Sequence, residues 1–134
     1  MNGIIRIFSP ERRDIEGIKT VSEEYISANF KEYSKRVKIS EYYTLEMCSI
    51  DFQEIFIVFD SRLLPKDAFR RASRETVGES LLRASFEGTK EVCDKKGIPY
   101  LIYEEELTKG DENLFKAKLD KVKDKIANRL KSII

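Results

Sequence analysis

The sequence predicts a single α/β domain, and three observations carry that prediction. Ile55-Phe56-Ile57-Val58-Phe59 is a run of five β-formers without alternation, the pattern of a strand buried on both faces. Pro65 to Lys96 then has the length and apolar periodicity of a long helix. Tyr100-Leu101-Ile102-Tyr103 is a second strand beyond it, so the stretch from Asp60 to Tyr103 completes a strand, crossover helix and strand.

The earlier chain supplies further elements. Gly3 to Phe8 is a short apolar strand with Arg6 inside it, and Ser9-Pro10 suits a helix start, serine as the cap and proline as the first helical residue. Ile15, Ile18, Val21, Tyr25 and Ala28 keep helical spacing, with Ile26, Phe30 and Tyr33 in an adjacent row. The expected helix runs from Pro10 to Lys35, about 39 Å. Val37 to Met47 alternates, with Val37, Ile39, Tyr43, Leu45 and Met47 on one side, as a half-exposed strand does. Only Cys48 to Gln53 then separate it from the buried run, so an antiparallel hairpin is expected between them.

The central helix carries apolar residues on two faces. Val77, Leu81, Ala84, Gly88 and Val92 share one; Leu82, Phe86 and Cys93 share another, more than about 100° away. Such a helix has two packing partners. Gly97 is placed as the left-handed residue after its end, and Pro99 blocks continuation. After a polar loop, Asp111 or Asn113 can cap a last helix, in which Phe115, Leu119, Val122, Ile126 and Ile133 form a narrow apolar seam flanked by lysines.

The resulting order, β-α-β-β-α-β-α, corresponds to the split βαβ, ferredoxin-like sheet with long helices and an added C-terminal helix. A mixed sheet of the restriction-nuclease type is the competing topology. At 134 residues the chain fits one domain, 1–134, with a single core.

Composition excludes several chemistries. There is no histidine, which removes the commonest general base and metal ligand. Charged residues make up 37% but sum to +1, unlike a strongly basic nucleic-acid protein. Cys48 and Cys93 form no metal-ligand pattern and read as small buried hydrophobes in a reducing, cytoplasmic setting. The start, MNGIIRIFSPERR, has too short an apolar run for a signal peptide, and no apolar stretch suits a membrane span. Abundant Lys and Glu beside a single glutamine, Gln53, resemble a thermophile-like composition. There is no G-x-x-x-x-G-K-[ST] or G-x-G-x-x-G loop, so ATP binding of the common kind is disfavoured and no cofactor is predicted.

Three sets of residues remain as candidates. Arg62, Lys66, Arg70, Arg71 and Arg74 form a basic stripe near the start of the central helix, suited to the phosphates of RNA, DNA or a phosphorylated small molecule. The plainer reading is a solvated face in which Asp67 and Glu75 pair with the arginines. Tyr42, Tyr43 and Phe52 offer stacking surfaces, or simply sheet packing. Leu82, Phe86, Phe115, Leu119, Val122 and Ile126 are the apolar residues on which a homodimer would rest. Asp51, Glu54 and Asp60 flank the buried strand as carboxylates for a metal. Asp51 with Glu54-Ile55-Phe56 resembles the Asp, then Glu-x-Lys, signature of restriction-type nucleases only in part, since Phe56 stands where that signature has lysine. Glu104-Glu105-Glu106 reads as an exposed acidic strand end.

The expectation is therefore a small non-enzymatic protein acting through self-association or a protein partner. A phosphate-backbone-binding accessory protein is the alternative, and a metal-dependent nuclease the weaker one.

Overall fold

The computed structural model of the chain describes residues 2–9, 12–42, 53–61, 77–104 and 111–134, the side chains of 12–14 and 77–83 excepted. Its elements are β1 (Gly3–Phe8), α1 (Arg12–Asn29), a 3-10 helix (Lys31–Arg36), β2 (Val37–Tyr42), β3 (Glu54–Asp60), α2 (Val77–Lys96), β4 (Tyr100–Tyr103), α3 (Glu112–Lys121) and α4 (Lys123–Ile133).

The four strands form one sheet in the order β2-β1-β3-β4. All three pairings are parallel. This corrects the ferredoxin-like expectation, the hairpin within it and the mixed-sheet alternative. β2 does not pair with β3; both flank β1. The hairpin expectation rested on a strand reaching Met47, which leaves too little chain for a parallel crossover, a connection that usually needs about a dozen residues. β2 is described to Tyr42 and β3 begins at Glu54; residues 43–47 of the expected strand lie outside the described residues.

Each layer follows from the apolar pattern. β3 is buried along its whole length, as an unalternating strand between two neighbours and two helical layers must be. Ile5 and Ile7 of β1 and Ile55, Phe56 and Val58 of β3 pack with Ile15, Ile18, Val21, Tyr25 and Ile26 of α1 and with Phe115, Leu119, Ile126 and Leu130 of α3 and α4. Phe8, Ile57 and Phe59 pack on the opposite face with Phe86 and Cys93 of α2 and with Ile98. Helices therefore cover both sides of the sheet.

A register shift where β1 meets the start of β3 explains how Ile55 and Phe56, adjacent in sequence, join the same core. Ile4 pairs with Glu54 and Ile5 with Phe56, so Ile55 is the extra residue of a β-bulge. Gly3 is required beside it: a Cβ there would lie 2.7 Å from Ile55 Cγ1.

Helix ends account for the remaining differences. α1 stops at Asn29, short of the expected Lys35; Asn29 Nδ2 donates to the Tyr25 carbonyl at 3.0 Å, and the chain tightens into the 3-10 helix. α2 ends as expected. Gly97 has φ 69°, and Ile98 N–H donates to the Cys93 carbonyl at 2.9 Å, a Schellman closure. The expected start of this helix at Pro65 lies outside the described residues. The single last helix is instead two, separated at Val122, whose ψ of 15° leaves the helical range. Asp111 stands at the α3 cap position without a side-chain capping bond.

Candidate binding crevice

Strand order points to a candidate site. From β1 the chain crosses to β2 through α1 on one face; from β3 it crosses to β4 through α2 on the other. The connections diverge at the carboxyl ends of β1 and β3, and in open parallel sheets this switch point is where ligands bind.

Two polar side chains meet at that point. Ser9 follows the last residue of β1, Asp60 is the last residue of β3, and Ser9 Oγ donates to Asp60 Oδ2 at 3.1 Å. Both are buried, Asp60 with 1% of its surface exposed. Ser9 N–H donates to the Tyr42 carbonyl at 2.8 Å, so β1 and β2 are also tied here. The N-terminal end of α1, with its partial positive charge, lies just beyond β1. Ser9 and Asp60 thus join the carboxyl ends of the two central strands through a buried hydrogen bond.

A second polar pair lies deeper, between β1 and the start of β3. Arg6 Nη2 is 2.5 Å from Glu54 Oε1, with both side chains nearly or wholly excluded from solvent. The Arg6 guanidinium also lies 5.0 Å from the centre of the Tyr42 ring. Tyr42 stacks on Phe8, with centroids 5.2 Å apart. Arg129 Nε donates to the Glu54 carbonyl at 2.9 Å, binding α4 to the start of β3. Burial draws the Arg129 guanidinium below its ordinary pKa, while the charge of Glu54 opposes that shift. Burial, with Asp94 and Glu54 adding to it, pushes the Cys93 thiol up to about 11, so this cysteine is a poor nucleophile. Tyr25 is also raised, by burial first and by its 2.7 Å hydrogen bond to Asp120 second.

The predicted site residues fare differently. Glu54 and Asp60 stand at opposite ends of β3, about 20 Å apart by strand rise, so they cannot share a metal. Asp51 lies outside the described residues. Among the described residues no group of three metal-ligating side chains occurs. Arg62, Lys66, Arg70, Arg71 and Arg74 lie outside the described residues, as do Tyr43, Cys48, Phe52, Glu105 and Glu106. Leu82 belongs to α2, with its side chain outside the description. Phe86 packs edge-on against Phe59, centroids 5.3 Å apart. Phe115, Leu119 and Ile126 are completely buried within the one chain, and Val122 packs against the same core. The apolar surface these four expose in the sequence pattern is therefore occupied by the fold itself.

Sequence reasoning treated Ser9 only as a helix cap and left Arg6 without a partner. A charged residue between Ile5 and Ile7 signals a buried counter-charge, and Glu54 opens the neighbouring strand. Ser9 and Asp60 acquire meaning only once the two strands are known to be parallel neighbours.

The described residues form a parallel sheet with helices on both faces and a buried polar pair at its switch point. Comparison with protein-family models, with curated proteins and with solved structures finds no match. No helix among the described residues is long and apolar enough to cross a membrane.

Proposed function

We propose that this domain binds a small phosphorylated molecule at the carboxyl ends of β1 and β3. The observation that carries the reading is the Ser9–Asp60 pair at the switch point. It ties together the carboxyl ends of the two central strands. The basic stripe enters through the sequence alone: Arg62 follows Asp60 by two residues, and Lys66, Arg70, Arg71 and Arg74 come after it. Guanidinium groups grip phosphate oxygens in bidentate fashion, and the positive end of α1 favours the same charge. A site made this way needs no glycine-rich loop.

The test is thermal unfolding with a panel of nucleotides, sugar phosphates and inorganic phosphate, on the native chain and on Arg70→Ala/Arg71→Ala/Arg74→Ala. A ligand at a hundred times its Kd stabilises by about 2.7 kcal/mol. For a chain of this size that raises Tm by several degrees. The expected result is such a rise in the native chain, absent from the triple variant, with the two ligand-free Tm values alike. No rise with any compound overturns the reading. Labelled oligonucleotides at about 50 and about 200 mM salt form a parallel arm, in which tight, steeply salt-dependent binding without any small-molecule shift would replace it with nucleic-acid backbone binding.

A further inference from the structure

We draw no further inference here: the strongest candidate, the apolar surface groove between β4 and α3 lined by Tyr100, Leu101, Ile102, Lys118, Lys121 and Val122, carries nothing, because Lys118 already donates to the Ile102 carbonyl across it and nothing in the structure shows what covers it.

Discussion

Glu54 and Arg6 form a buried ion pair, 2.5 Å between charged atoms, across the two central strands of a parallel sheet. Neither charge has water to fall back on. Removing one partner leaves the other desolvated, which costs about 3–5 kcal/mol, whereas replacing both by apolar residues of similar volume is often neutral. Glu54→Ala should therefore destabilise severely, and Arg6→Met/Glu54→Leu much less. Urea unfolding of the single and double variants measures the difference, and equal losses would show that the charges are not coupled.

Gly3 is constrained by Ile55, a stiff β-branched side chain fixed in the core by the bulge. Gly3→Ala pushes a methyl group into it. Overpacking of this kind costs about 1–3 kcal/mol. Reducing the opposing side chain as well, in Gly3→Ala/Ile55→Val, should recover less than the full loss, because valine removes the clashing Cδ1 but keeps Cγ1, which lies 2.7 Å from the added carbon. Unfolding midpoints in urea provide the readout.

Arg129 joins three elements. From α4 it donates to the Glu54 carbonyl at 2.9 Å and to the Lys96 carbonyl at 3.4 Å, at the end of α2. Arg129→Ala leaves those acceptors without this donor, and a loss of about 1–3 kcal/mol is expected. Arg129→Lys should restore little, since one ammonium cannot reproduce the spread of the guanidinium. Hydrogen exchange would locate the loss at the start of β3 and the end of α2.

Cys93 sets an alkaline limit. Its thiol titrates near 11 in the folded chain, against an ordinary value of 9.0. The raised value means the folded state holds the proton more tightly. This contribution is complete below pH 9 and is lost as pH rises from 9 to about 11. Cys93→Ala should flatten that part of the stability curve, whatever its effect at neutral pH. In the native protein at pH 8, a thiol reagent should modify Cys93 only at the rate of opening.

Much of the secondary structure was legible in the residues. The five-residue apolar run at Ile55 to Phe59 identified the central strand because burial on both faces abolishes alternation. Gly97 and Pro99 marked the end of α2 because only a left-handed residue closes a helix in that way, and Tyr100 to Tyr103 followed as the next strand. These signals are local, arising from backbone conformation and the side-chain period. The limits of α1 and the division between α3 and α4 were less legible, since apolar spacing continues through Phe30, Tyr33 and Val122 whether or not the backbone stays α-helical.

Strand direction and order were not available from the residues. The same β2 and β3 sequences serve a hairpin or two strands separated by β1, and the choice rests on a connection whose length depends on where β2 stops. The candidate crevice inherits that dependence. Ser9 and Asp60 lie 51 positions apart and meet only because β1 and β3 are parallel neighbours. Arg6 and Glu54 meet for the same reason. The sequence by itself determined which segments are apolar enough to become strands and helices; tertiary structure decided which polar residues they bring together, because that depends on strand order and direction, to which side-chain periodicity is blind.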